Sequence, residues 1–185
     1  MHSSEHHPCL CNALRAPARG AFTLVEVVVV MILVGIMGAA AVVSMNSIPS
    51  SRHSLAARQV QSDLVFARER AMATGIRHWV AFSVSTNSYS LLAEDPLNPG
   101  RAGAMTITDP AKQGPFVQRL NINEFTGATF ASAVFDAGTE VGFDWLGEPL
   151  SAVSVPLAAS GTVTISGNHR VIVQSGTGMV THEGP

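Results

Sequence analysis

The chain is 185 residues long, 46% hydrophobic and 13% charged, with 11 basic against 13 acidic residues. Its charged fraction is about half the roughly 25% usual for a soluble globular chain, which excludes an intrinsically disordered segment, a coiled coil and a histone-like basic protein. Acids slightly outnumber bases, so no general polyanion-binding surface is implied.

The N-terminal stretch contains both cysteines, Cys9 and Cys11, near His6 and His7. Their C-x-C spacing differs from the C-x2-C of common zinc knuckles, and there is no second pair, so the expectation is an unstructured leader without a metal site. Everything after Cys11 lacks cysteine, which excludes a disulfide scaffold there.

The charge deficit is concentrated between Glu26 and Arg52, where 25 consecutive positions carry no charged side chain. Val27 to Met45 includes one polar residue, Ser44, and 19 helical residues come close to crossing a hydrocarbon core about 30 Å thick. A cleavable secretory signal competes with this reading. Arg15 and Arg19 form a basic flank, and Ala39-Ala40-Ala41 offers an A-x-A site. Against it, the apolar stretch exceeds a normal signal core and Glu26 interrupts its start. A carboxylate at the edge of a membrane helix is costly unless it finds a partner or an aqueous boundary, which makes Glu26 a functional candidate.

The residues before it are Arg19-Gly20-Ala21-Phe22-Thr23-Leu24-Val25-Glu26. With the basic leader and the apolar run, this motif resembles the N-terminus of type IV pilins and pseudopilins. The resemblance implies a leader over 1–21, removed on the cytoplasmic side by a prepilin peptidase that also methylates the new N-terminus. Phe22 is then the first mature residue and Glu26 the fifth. The family normally carries Gly immediately before the cut; here Ala21 lies between Gly20 and Phe22. Cleavage after Ala21 keeps Phe22 and Glu26 in register, and cleavage after Gly20 shifts Glu26 by one place.

Physical chemistry gives the motif its logic. Cleavage creates an ammonium at Phe22, four residues from a carboxylate in a low-dielectric setting where opposite charges attract strongly at a desolvation cost. The resemblance implies that Glu26 neutralises the amine of a neighbouring helix and so fixes axial register in a filament. Gly35 and Gly38, followed by Ala39 to Ala41, give a small-residue face on which helices can approach closely. The segment 22–46 is thus expected to be a transmembrane and assembly helix.

Residues 47–185 form the remainder. Ala56, Val60, Leu64, Ala67 and Ala71 recur at helical spacing, predicting an amphipathic helix over about 52–74 that stops at Gly75. Pro49 lies at the junction with the apolar segment. Strand signals follow. Val80, Phe82 and Val84 alternate, Thr86-Asn87-Ser88 is a turn, and Tyr89, Leu91 and Ala93 alternate again as a hairpin. Residues 94–115 read as a long Pro/Gly-rich loop. Residues 116–122, 129–135 and 141–145 are further strand candidates, Gly147-Glu148-Pro149 a turn, and Val163, Ile165, Val171 and Val173 flank Gly167-Asn168 as a last hairpin. The expected fold class is α+β: a long N-terminal helix, transmembrane then amphipathic, followed by an antiparallel β-sandwich-like head of about seven strands. The layout resembles the GspH/FimT branch of the pseudopilins, so a pilin-like fold is implied.

No catalytic pattern is present, and the chain is not expected to be an enzyme. His53, His78, His169 and His182 are far apart in sequence, without H-E-x-x-H or G-x-S-x-G. Asp136, Glu140, Asp144 and Glu148 recur every four residues amid strand-like neighbours and read as solvated surface, a calcium site or partner contact being the minor alternative. No cofactor is expected. Residues 78–185 carry only Arg101, Lys112, Arg119 and Arg170 as bases, which speaks against nucleic-acid binding.

The resemblance implies a minor pseudopilin of a type II secretion system, anchored in the bacterial inner membrane with a cytoplasmic N-terminus and a periplasmic head. It would assemble into, or at the tip of, a pilus-like fibre in the periplasm. Its partners would be the prepilin peptidase/methyltransferase, sibling pseudopilins and the inner-membrane assembly platform. The alternatives are a FimT-like minor pilin of a type IV pilus serving motility or DNA uptake and, last, a secreted β domain cut near Ala41.

Overall fold

The computed structural model describes residues 23–45, 48–136 and 138–185, with side chains described outside 38–50. The chain divides into two compact units, residues 1–44 and 45–185.

Helix α1 (Leu24–Met45) lies in the first unit except for its last residue. Its large apolar side chains from Leu24 to Met37 are all exposed, from 46% at Val27 to 80% at Leu24. A helix apolar on every side matches a lipid or helix-packed environment better than half-burial on a domain. Residues 23–37, whose side chains are described, correspond to about 22 Å of helix, less than a hydrocarbon core needs. Among the described residues no helix is long and apolar enough to cross a membrane.

The second unit opens with helix α2 (Ile48–Thr74). Pro49 lies in its first turn, where the missing N–H removes no helical hydrogen bond, so α2 begins ahead of the amphipathic pattern. Gly75, at φ 70°, ends it, its N–H bonded to Ala71 O at 3.0 Å. Ala56, Ala57, Val60, Leu64, Ala67 and Ala71 are fully buried, with small residues alternating with Val and Leu so that the helix lies close on the strands beneath it.

Among the described residues ten strands follow, all antiparallel: β1 (His78–Ser83), β2 (Ser88–Ala93), β3 (Met105–Thr106), β4 (Val117–Arg119), β5 (Phe130–Val134), β6 (Glu140–Phe143), β7 (Pro149–Leu150), β8 (Gly161–Ile165), β9 (His169–Val173) and β10 (Val180–Glu183). One sheet runs β3-β2-β1-β6-β7, with β4 also paired to β2; the other runs β10-β9-β8-β5. Helix α2 packs on β1 and β6 of the first sheet and on β8, β9 and β10 of the second. An aromatic cluster joins the sheets: Phe82 lies 5.5 Å from Tyr89, 5.6 Å from Phe130 and 5.8 Å from Phe135 between ring centroids. Asn87, at φ 48° in the β1–β2 turn, accepts the Phe130 N–H on its side-chain oxygen at 2.9 Å, a second tie between them.

The α+β class, the antiparallel two-sheet head and both expected hairpins are present. Three strands lie outside the expected set. The pair β3 (Met105–Thr106) falls within the long loop, and β7 (Pro149–Leu150) follows a turn signal, with Pro149 tolerated because β7 is the sheet edge. β10 has Val180 as its only apolar residue, too little for an alternation signal. The expected strand 141–145 stops at Phe143, because Asp144 turns the chain: its Oδ1 accepts the N–H groups of Leu146 at 2.9 Å and Glu148 at 2.8 Å.

Candidate functional site

The candidate site lies at the start of α1. Gly20, Ala21 and Phe22, the expected cleavage and methylation residues, lie outside the described residues. Thr23 precedes the helix, and its Oγ1 accepts the Glu26 N–H at 3.2 Å while its carbonyl accepts the same group at 3.1 Å. Thr23 is therefore the N-cap, with Glu26 three residues on, the T-x-x-E spacing of a capping box. Glu26 is exposed in the first turn, where the helix dipole favours a negative charge by about 0.3–1 kcal/mol. Sequence reasoning singled out Glu26 and missed Thr23 as its cap, although T-x-x-E before an apolar run is a readable signal.

Down the helix, Gly35 has open space around its Cα: nothing lies within 4 Å of where a Cβ would sit. That surface can admit a neighbouring backbone. Gly38 falls within the α1 range, three residues further.

In the second unit three of the four acids, Asp136, Glu140 and Asp144, are put to structural use, which corrects the expectation of a solvated stripe for them. Asp144 is buried and shapes its turn. Glu140 makes a two-pronged pair with Arg101, Nη2 to Oε1 at 2.8 Å and Nε to Oε2. Asp136 accepts the N–H groups of Ala158 at 3.2 Å and Ala159 at 3.3 Å. Backbone amides and one arginine claim these carboxylates. Among the described residues, no three metal-binding side chains converge.

Two histidines, His169 and His182, come together where β9 meets β10, with His53 of α2 nearby. His169 Nδ1 lies 3.2 Å from His182 Nε2, and His53 lies against Gly167 in the β8–β9 turn. Burial lowers the pKa of His169, and the charges of His182 and His53 add to that effect. His182 is lowered by burial and then by Arg58. His78 stands apart, lowered by burial, with Nδ1 2.8 Å from Ile76 O. No nucleophile or carboxylate hydrogen bonds to any of these rings among the described residues, so the cluster lacks the parts of a hydrolytic triad.

Residues 17–42 match the family described as the prokaryotic N-terminal methylation motif. The fold is similar to two structures of the minor pseudopilin EpsH from the type 2 secretion system of Vibrio cholerae. One aligns at TM-score 0.53 and 14% identity over 74% of this chain and 98% of that one. The other aligns at TM-score 0.52 and 14% identity, over 72% and 96%. No curated protein sequence matches the chain. A prepilin-type N-terminal methylation motif is thus joined to a type IV pilin-like fold of the EpsH kind.

Proposed function

From a prepilin-type N-terminus on a minor-pseudopilin fold, we propose that the chain is a minor pseudopilin of a type II secretion system. It is a structural subunit held in the inner membrane by residues 22–46 and drawn from there into a pilus-like fibre, or onto its tip, during protein export. Its N-terminus is cytoplasmic before processing, its head is periplasmic, and its partners are the prepilin peptidase/methyltransferase, sibling pseudopilins and the inner-membrane platform.

The carrying observation is Glu26 in the first turn of an apolar helix whose described large apolar side chains are all exposed. An anchor alone gains from that carboxylate only a modest stabilisation of its helix start. A helix packing beside copies of its own kind gains more, because each processed N-terminus brings an ammonium needing a counter-charge. The likeness of the head to EpsH favours the secretion machine over the pilus.

Mass spectrometry of the mature N-terminus tests the reading. N-methylated Phe22 supports it, and a chain beginning near Val42 overturns it in favour of a secreted domain. Pull-down with sibling pseudopilins of a secretion operon, set against those of a pilus operon, then separates the two machines.

A further inference from the structure

Strand β10 is the edge of the second sheet, four residues long and paired only with β9. Few side chains hold it and its approach to the head. Gln61 on α2 donates to Val180 O at 3.2 Å, Arg68 donates to Thr177 O at 3.1 Å just before the strand, and Arg170 pairs with Glu183 at 2.9 Å on the exposed surface.

Val180 also packs into the core, and a further tie is the histidine pair. The ladder sets His182 opposite Val171, so His169 is its diagonal neighbour on the same face. The rings stack at 25° with centroids 5.3 Å apart, and the facing nitrogens are 3.2 Å apart. Such a bond needs one N–H donor and one bare lone pair, so the accepting imidazole must be neutral. With both rings protonated, two N–H groups face each other across the same gap.

The surroundings make that second proton costly. His169 is buried on β9. From α2, Arg58 acts on His182 and His53 acts on His169. Glu183 of β10 is paired with Arg170 of β9, and β8 carries no titratable side chain. Gly184, which follows β10, brings only backbone near the His169 ring. No carboxylate among the described residues hydrogen-bonds either ring.

We propose that the His169–His182 pair is an acid-sensitive latch, holding β10 on β9 at neutral pH and releasing it when both rings are charged, which uncovers the backbone edge of β9. Both imidazoles titrate below their ordinary value, so the latched state binds fewer protons than the released one. Its stabilisation is full above about pH 6.5 and is lost as pH falls through the lowered values.

Hydrogen exchange with mass spectrometry on the full chain in detergent micelles tests this at pH 7.5 and pH 5.0, with intrinsic exchange rates corrected for pH. Peptides covering 180–183 are expected to lose at least tenfold protection at the lower pH while β5 and β8 keep theirs. The double variant His169→Gln and His182→Gln, which keeps hydrogen-bonding side chains but cannot titrate, is expected to show equal β10 protection at both values. Loss that persists in this variant overturns the latch. So does wild-type loss that spreads equally over β5, β8 and β10, a result readable even if the variant fails to fold.

Discussion

The Tyr89 hydroxyl donates to Asp63 Oδ2 at 2.6 Å, joining strand β2 to helix α2 inside the head. Gln59, one turn before Asp63, donates to the other carboxylate oxygen at 3.0 Å. Tyr89 and Asp63 are both almost fully buried. Burial, with the Asp63 charge and the hydrogen bond adding to it, raises the phenol well above its ordinary value, so Tyr89 stays a donor at any physiological pH.

Tyr89→Phe keeps the ring in its aromatic cluster and removes only this donor. The expected cost is about 1.5–3 kcal/mol, the range for a hydrogen bond to a charged group. Urea denaturation of the full chain in detergent checks it, with an unchanged midpoint as the contrary result.

The same pair sets a pH slope. Burial raises the Asp63 carboxyl above its ordinary value, although Tyr89 and Gln59 pull it down. A carboxyl raised on folding binds more protons in the native state than in the unfolded one. Its contribution is therefore greatest at or below about pH 3.9 and declines as pH rises through the raised value. Asp63→Asn should flatten that part of the stability profile, and a slope just above pH 4 equal to wild type would count against it.

How far sequence sufficed is visible along α2. The stripe of Ala56, Val60, Leu64, Ala67 and Ala71 is legible because apolar side chains recur at the helix period. Asp63 occupies the same face, three residues past Val60 and four before Ala67, yet a lone acid in such a stripe says nothing of its partner. That partner, Tyr89, is 26 residues away on a strand, and only the packing of helix on sheet unites them. The histidine pair was hidden for a related reason: β10 has too little apolar pattern to be seen, so the β9–β10 ladder that brings His182 beside His169 could not be drawn. At the N-terminus the reverse holds. Glu26 and its cap Thr23 are local in sequence, and both can be read there.

Arg68 illustrates a tie that no local pattern predicts. From α2 its Nε donates to Gly147 O at 3.2 Å and its Nη2 to Thr177 O at 3.1 Å, fastening the β6–β7 turn and the β9–β10 turn to one side chain. Arg68→Met keeps much of the aliphatic stem and removes both donors. The expected loss is about 1–3 kcal/mol, with faster amide exchange confined to residues 144–147 and 174–178. Uniform loosening of the head would contradict this assignment.

Gly161 begins β8, and a Cβ there would overlap the Phe135 ring. Glycine within a strand signals such a close approach. Gly161→Ala must push Phe135 out of its stack with Phe82, at an expected cost of about 1–3 kcal/mol for overpacking. A thermal midpoint within a degree of wild type would show that the ring has room to move.

Two roles meet at Glu26, and substitutions separate them. Its backbone N–H is held by the Thr23 cap, and its side chain carries the charge assigned to assembly. Thr23→Ala removes the side-chain cap, worth about 1 kcal/mol of helix start, and leaves the carboxylate. Glu26→Gln leaves the cap and removes the charge. Glu26→Leu removes charge and polarity together, which favours insertion in lipid. If the carboxylate serves as counter-charge to a neighbour's processed N-terminus, both Glu26 variants enter the membrane and are cleaved, yet neither is recovered in sheared fibres. Thr23→Ala is still incorporated, at a reduced level. If Glu26 served only to start the helix, Thr23→Ala would be the more damaging change and Glu26→Gln would assemble normally. Fractionation followed by immunoblotting of membrane and fibre pools distinguishes these outcomes.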